Sequence, residues 1–445
     1  MRLRKGPFVW LLEKEWRELL ASRAWWVLLA MSGPLIGVSF ISAVRTYAEL
    51  SGYGGAAEGV GVGEAFSPLV GVWAPTFSAC ELAAAFLLPF VAIRVMSGDR
   101  QSGALKLELQ QPMSVLWRVG AKAIVLGVAW LLASVPAAIA ILLWRSYGGA
   151  VYPPEIGAVA AGHVLNAGLT IALASAAASL TDHPSTAAIV TLSVTVGTWI
   201  VNFIAAVEGG IWERIAGYTP TAIVAEFQHG LIRLDVVLIA IALTALGLAL
   251  AAVWMHIGTP VRARASESIV LAALTAAIVF GATFLTASWD LSENRMNSFP
   301  KADEAVLRQI RQPLRIEAHL AAEDPRRVDL EHKVLSKLRR VMPRVDVRYV
   351  AATSTGLFEQ AGAHYGEVWY RLGDNGVPMM SRETTVEGVL ETIYGLAGVE
   401  MPVESGEIFR GHPLAVPPRR AASVFYGFWP ALVIAAGVFQ WRRQS

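Results

Sequence analysis

Glu81, His163, Asn166 and Asn202 are ionisable or strongly polar side chains set inside long apolar runs. Such a placement is costly and calls for a partner group, a wet cavity or a function. Few other residues are spaced for chemistry. The chain has no GxxxxGK[ST] phosphate loop, no HExxH, no GxSxG and no CxxC, so no recognisable device for binding ATP, zinc catalysis, a nucleophilic serine or dithiol exchange is present. Its one cysteine, Cys80, can form no internal disulfide. His319, His332, His364 and His412 share no ligand spacing and read as scattered surface histidines, so no metal site is expected. A membrane-embedded enzyme using Glu81 and His163 would lack a second carboxylate or nucleophile spaced to help.

A second group stands out by contrast with its surroundings. SGDRQSGALKLELQQP, residues 97–112, is a polar island between apolar runs. Leu105 and Leu109 fall one helical turn apart beside Asp99, Arg100, Lys106 and Glu108, which predicts a short amphipathic helix. Held between two spans, such a helix is a lever, because whatever grips it tilts both. An inert connector would be shorter.

The elements that must position these residues follow from hydropathy. Of 445 residues 55% are hydrophobic and 16% charged, beyond an ordinary soluble domain. The net charge of +2 gives no reason to expect nucleic acid. Eight windows are long enough to cross a bilayer core of roughly 30 Å: 24–44, 72–93, 123–144, 156–181, 185–207, 236–257, 268–289 and 421–441. Trp25, Trp26, Trp144, Trp254, Trp289 and Trp441 fall at their ends, where amphipathic rings are favoured. With the N-terminus inside, the short inner segments carry 15 Lys and Arg against 4 in the short outer loops. Both termini are therefore expected in the cytoplasm, with residues 290–420 outside. The 21-residue first apolar run follows a charged leader of 23 residues, which argues against a cleaved signal peptide. In that leader Leu12, Trp16, Leu19 and Leu20 recur at helical spacing opposite Glu13, Lys14, Arg17 and Glu18, predicting a helix in the membrane interface or a cytoplasmic extension of the first span.

Orientation gives Glu81 a depth. It precedes Arg94 by 13 residues, about 20 Å of helix at 1.5 Å per residue, so it lies in the outer leaflet facing protein or water. Two readings stand: a residue of a substrate path or gate, and a protonated carboxyl bonded to a neighbouring helix or second subunit. His163, Asn166 and Asn202 carry the same pair of readings.

The outer segment patterns as an α/β domain. Strands are expected at 314–320, 345–350, 367–372 and 377–381. One helix is capped by Asp324, with Pro325 in its first turn. Another opens on the box Thr384, Glu387 and stops at Gly398. The order β, α, β, irregular, β, β, α is the thioredoxin topology without its dithiol, so a binding or spacer module is expected. Residues 401–420, with four prolines, form a stiff return to the last span.

KEWRELLASRAWWVLL, then DRQSGALKLELQQPMSVLWRVGAKA, resembles the permeases of type 2 ABC exporters. The matching positions are Asp99, Arg100, Gly103, Leu105, Leu107, Leu109, Pro112, Gly120 and Lys122. YTPTAIVAEFQHGLIRLDVV resembles the stretch before their sixth span, at Pro220, Phe227, Gly230 and Asp235. WDLSENRMNSFPKADEAVLRQIRQPLRIEAHL and FRGHPLAVPPRRAASVFYGFWPALVIAAGVFQWRR resemble the auxiliary subunit of gliding-motility-type ABC transporters. Asp290, Leu291, Ser292, Ser298, Pro313, Gly411, His412, Pro413, Leu414 and Trp429 carry that likeness, and the outer domain is shorter than in those subunits.

The resemblance implies a fusion. An interfacial helix (1–23) and a six-span permease core (24–260) would be followed by span 7 (268–289), an extracytoplasmic α/β domain (290–420) and span 8 (421–441). It also implies an exporter subunit of the bacterial inner membrane, itself not an enzyme. A separate ATPase chain holding ATP and Mg would dock on residues 97–122, beside a second membrane subunit that is another copy or a related permease, all within membrane lipid. Asp99, Arg100, Gly103, Leu105, Leu109, Pro112 and Lys122 would form the coupling loop, and Glu81, His163, Asn166 and Asn202 the path. A different class of function, a non-transporting scaffold or sensor whose outer domain binds a partner, is the alternative.

Overall fold

The computed structural model describes residues 6–54, 66–105, 110, 113–208, 211–256, 258–321, 324–350, 364–374, 376–402 and 409–444. They are mostly helical and form two compact units: 1–199, 218–285 and 410–445 in the first, 200–217 and 286–409 in the second.

Among the described residues eight helices are long and apolar enough to cross a membrane: Arg23–Gly52, Leu69–Ser102, Val115–Ser146, Pro153–Leu180, Pro184–Ala205, Leu234–Met255, Val261–Ala282 and Ser423–Arg443, numbered here as spans 1 to 8. Before them lies the N-terminal helix Pro7–Ala21, which ends where Ser22 leaves helical geometry and turns the chain into span 1. Its buried stripe is Glu15 and Leu19, one turn apart. Leu12, Trp16 and Leu20 are only half-buried.

Spans 1 to 4 supply most of the buried surface of the first unit, whereas spans 5 to 8 are largely uncovered by protein. Their exposed apolar side chains suit lipid, which solvates Leu and Ile as well as a protein core does. Span 4 packs on span 6 and span 2, and span 1 on span 2. Gly247 of span 6 lets that helix ride on span 4, since a Cβ there would meet Ala172 backbone atoms at 2.9 Å. Span 8 seats itself on span 1 in the same way. Trp429 and Phe425 occupy the space where Gly33 and Gly37 lack a side chain, and Trp429 Nε1 donates to the Leu29 carbonyl at 2.8 Å.

The segment before span 8 is fastened to the same unit. His412 N–H donates to Phe66 O at 2.9 Å. The Tyr47 hydroxyl lies 2.7 Å from Phe66 O and 2.8 Å from His412 O. Leu414 N–H donates to Ser51 Oγ and the Tyr147 hydroxyl to Arg419 O.

Span 7 departs from expectation. Pro260 caps it, so helix begins at Val261 and ends at Ala282, not at Trp289. The expected window followed the apolar residues alone. Proline's fixed φ starts the helix earlier and takes Arg262 and Arg264 into its first turns. Trp289 instead lies on a short strand and is 52% exposed.

Among the described residues the strands are β1 (Leu231–Arg233) in the first unit and, in the second, β2 (Ser288–Asp290), β3 (Leu314–Ala318), β4 (Val345–Tyr349), β5 (Val368–Leu372) and β6 (Met379–Ser381). The last four make one sheet in the order β4-β3-β5-β6, with β3 and β4 parallel and the other pairs antiparallel. Leu314, Ile316, Ala318, Val368, Tyr370 and Leu372 alternate onto its buried face. Helical residues 325–341 cover that face with Leu330, Val334, Leu335 and Leu338, and helix Val386–Ala397 with Val389, Leu390, Ile393 and Tyr394. Asp324 caps the first of these as expected, accepting from Arg326 N–H. The second is capped one residue later than expected, by Thr385, whose side chain accepts from Gly388 N–H, and it ends at Gly398 in the left-handed region. A further helix, Lys301–Leu307, precedes the sheet, and the Tyr394 hydroxyl donates to its Asp303 at 2.6 Å. Residues 351–363, expected to be irregular, lie outside the described residues.

Candidate coupling site

Lys122 is completely buried. Ser114 starts its helix by accepting from Trp117 N–H, and two turns on, the Lys122 ammonium spends all three of its donors. It reaches Glu15 Oε2 at 2.6 Å, Asp99 Oδ2 at 2.6 Å and Val95 O at 3.1 Å. Lys14 closes the circuit, with Nζ 2.8 Å from Asp99 Oδ1, 3.3 Å from Glu15 Oε1 and 3.2 Å from Glu18 Oε1. The group joins the N-terminal helix, the C-terminal end of span 2 and the first turns of span 3. Burial pushes the Glu15 carboxyl up from its ordinary value, and the Lys122 and Lys14 ammoniums oppose that. Each charge is compensated by an opposite charge within hydrogen-bond distance, the condition under which buried ions are tolerated.

Arg100, the next residue, reaches the other way. Its Nη1 donates to Ser179 O at 2.9 Å and Thr181 O at 3.3 Å, and Nη2 lies 3.4 Å from Asp182. A guanidinium on the last carbonyls of a helix complements the negative end of its dipole. Asp99 and Arg100 thus tie the root of the 97–112 segment to the N-terminal helix, to span 3 and to the C-terminal end of span 4. Gly103 then turns the chain with φ 77°, a conformation open to glycine at little cost. Leu105 is buried. The expected amphipathic helix, with Leu109 and Pro112, falls on residues 106–109, 111 and 112, outside the described residues.

The four candidate path residues divide. Helix Pro220–Gln228, capped by Thr219, packs on spans 4 and 2 and brings polar groups to them. Glu81 has Thr221 of this helix within side-chain reach. His163 Nε2 is 3.3 Å from Gln228 Nε2, which also stands 3.5 Å from Ser78 Oγ, and the Phe77 ring lies 5.5 Å from the imidazole. Asn166, one turn further along span 4, is buried. Gly162 admits Phe227 beside it. Asn202 is half-buried on span 5, in the stretch 200–217 grouped with the second unit.

The motif at 218–237 has its own ion group. Arg233 donates to Glu226 at 2.7 Å and to both Asp235 oxygens at 3.2 and 2.5 Å, while the Tyr218 hydroxyl donates to Asp235 at 3.2 Å. Gly230 takes φ 76° to make the turn into β1.

Sequence reasoning missed Glu15 and Arg233. Glu15 stands in a run of charges, and only its i, i+4 relation to Leu19 hinted at the buried side. Carboxylate oxygens of Glu15, Glu18 and Asp99 come within 4.8 Å of one another, the spacing a cation would need, but the ammoniums of Lys14 and Lys122 already bridge them. Compared with protein-family models and with characterised proteins, the chain matches none.

Proposed function

We propose that the chain is the membrane subunit of an ABC-type exporter, driven by a separate ATPase that grips residues 97–122 on the cytoplasmic side. The observation that carries this reading is the buried Glu15–Lys122–Asp99–Lys14 group with Arg100 on span 4. A force applied to the polar segment beyond Gly103 passes through Asp99 and Arg100 into four elements together, because ion pairs inaccessible to water resist stretching more than exposed pairs. The side-chain cluster of Glu81, Thr221, His163 and Gln228 suits a gate further along the same spans.

In this reading the second unit lies outside the cell. Its strand order supports a thioredoxin-like module, which without a dithiol serves binding or spacing. The resemblance at both ends of residues 290–441 supports an auxiliary-subunit origin.

The test is co-purification. The tagged full chain is isolated from its native membranes in mild detergent, and ATPase activity is measured per mole of chain. Deletion of residues 104–111 is expected to lower the recovered ATPase at least tenfold while the chain still inserts. Undiminished recovery, or no ATPase with the parent chain, overturns the proposal, and the latter outcome favours the scaffold or sensor.

A further inference from the structure

Span 6 ends at Met255 and Pro260 opens span 7 at Val261, so the two packed helices form a hairpin with its turn at one membrane surface. His256 and Arg262 are exposed at that turn. Arg264 is held more closely. Its guanidinium lies over the Trp254 ring, 5.2 Å from the centroid, a cation–π placement. The ring is itself fixed, because Trp254 Nε1 donates to Ser268 Oγ at 3.0 Å and Ser268 Oγ donates to Arg264 O at 2.8 Å. Arg264 Nε is buried and has no hydrogen-bond partner among the described residues. A buried donor without an acceptor lowers stability until one arrives.

An open groove of about 400 Å³ lies between the same two helices, lined by Val253, Ser266, Glu267, Val270 and Leu271. Ser266 and Glu267 stand one turn before Val270 and Leu271, so a polar rim gives way to an apolar floor along span 7. Arg264 stands one turn before Glu267 and Ser268, and Trp254 follows Val253, which sets the guanidinium beside the groove. Spans 6 and 7 are largely uncovered by protein, so the groove opens to lipid. The charged groups around its rim are Arg262, Arg264 and Glu267, a net positive set that complements a phosphodiester anion. Glu267, a carboxylate that only accepts, asks in addition for hydroxyl donors.

We propose that the base of this hairpin holds one anionic phospholipid with a hydroxylated headgroup, of the phosphatidylglycerol type. The guanidiniums of Arg264 and Arg262 take the phosphate, the Glu267 carboxylate accepts from the headgroup hydroxyls, and an acyl chain lies along Val253, Val270 and Leu271. Trp254 is a positioning residue that acts through Arg264. Basic pockets between membrane helices are a setting in which anionic headgroups are held. The inference is independent of the transport reading, since it needs only that spans 6 and 7 meet lipid.

The purified full chain is delipidated in detergent and offered equal amounts of phosphatidylglycerol and phosphatidylcholine, bound lipid being counted by native mass spectrometry. Phosphatidylglycerol is expected to stay on the chain under activation that strips phosphatidylcholine. Arg264→Gln and Arg262→Gln should each lower that preference about fivefold, the worth of one basic residue beside an anionic headgroup, while Lys333→Gln in the second unit leaves it unchanged. Phosphatidylglycerol should also raise the melting temperature of the parent and not of Arg264→Gln, whose melting in phosphatidylcholine alone shows whether that variant still folds. Inorganic phosphate in place of lipid should give no shift, because the acyl chain is part of the fit. A shift with phosphate alone, equal retention of the two lipids by the parent, or full preference in a folded Arg264→Gln overturns the assignment.

Discussion

At the scale of single residues, Lys122 is fully buried and its ammonium is held by three acceptors. It has no unused donor, so its removal leaves Glu15 and Asp99 facing one another with only Lys14 between. Breaking a buried ion pair from one side costs about 3–5 kcal/mol, most of it the penalty of the stranded charge. Lys122→Met is therefore expected to lower the melting temperature of the detergent-solubilised chain strongly. Lys122→Met with Glu15→Gln removes one charge of each sign and should recover more than half of the loss. A double variant less stable than the single one would show that the two side chains are not coupled. Asp99, Arg100 and Lys122 were singled out in the sequence only by resemblance to a permease loop, and the structure joins Asp99 and Lys122 in one ion pair. Glu15 was not, because a helix with charges at 13, 14, 15, 17 and 18 shows a polar face whose partner lies a hundred residues away.

At the scale of elements, strand alternation and helix caps in the second unit were legible because each depends on neighbours in sequence. Asp324 is the clearest instance. Its carboxylate accepts from Arg326 N–H at 2.9 Å, pairs with the Arg326 guanidinium at 2.8 Å and accepts the Tyr365 hydroxyl at 2.8 Å. The Arg326 side chain first, with its backbone N–H and Tyr365, holds the Asp324 carboxyl at about 2, below the ordinary 3.8. A depressed carboxyl contributes stability above its unfolded value and loses it as pH falls through the folded one. The second unit should thus lose Asp324's contribution between about pH 4 and pH 2. Asp324→Ala should cost about 1 kcal/mol at neutral pH as a lost cap, and flatten that acid limb when the melting of this unit is followed by calorimetry against pH. An unchanged acid limb would assign it to other carboxylates. What the sequence concealed at this scale came from tertiary packing: the start of span 7 at Pro260, and the seats for Phe425 and Trp429 on span 1, since a glycine in an apolar run does not announce which ring it receives.

At the scale of the whole molecule, sidedness is the property on which the proposed coupling depends, and its expectation rests on parity together with charge. Seven spans separate the N-terminal helix from the second unit and eight separate it from the C-terminus, so a membrane that all eight cross leaves the two ends together and the sheet opposite. In the proposed reading the excess of Lys and Arg, 15 against 4 in the short segments, puts the ends in the cytoplasm. Cys80 is buried within span 2 and will not react with a bulky thiol reagent, so single cysteines report on an intact background. Val377, 80% exposed in the second unit, and Gln101, exposed beside Arg100, sit on opposite sides in this arrangement. An impermeant maleimide added to intact cells should label Val377→Cys at once and Gln101→Cys only after the membrane is opened. Labelling of Gln101→Cys from outside would place the lever where no ATP is available, and coupling through Asp99 and Arg100 would then have no energy source.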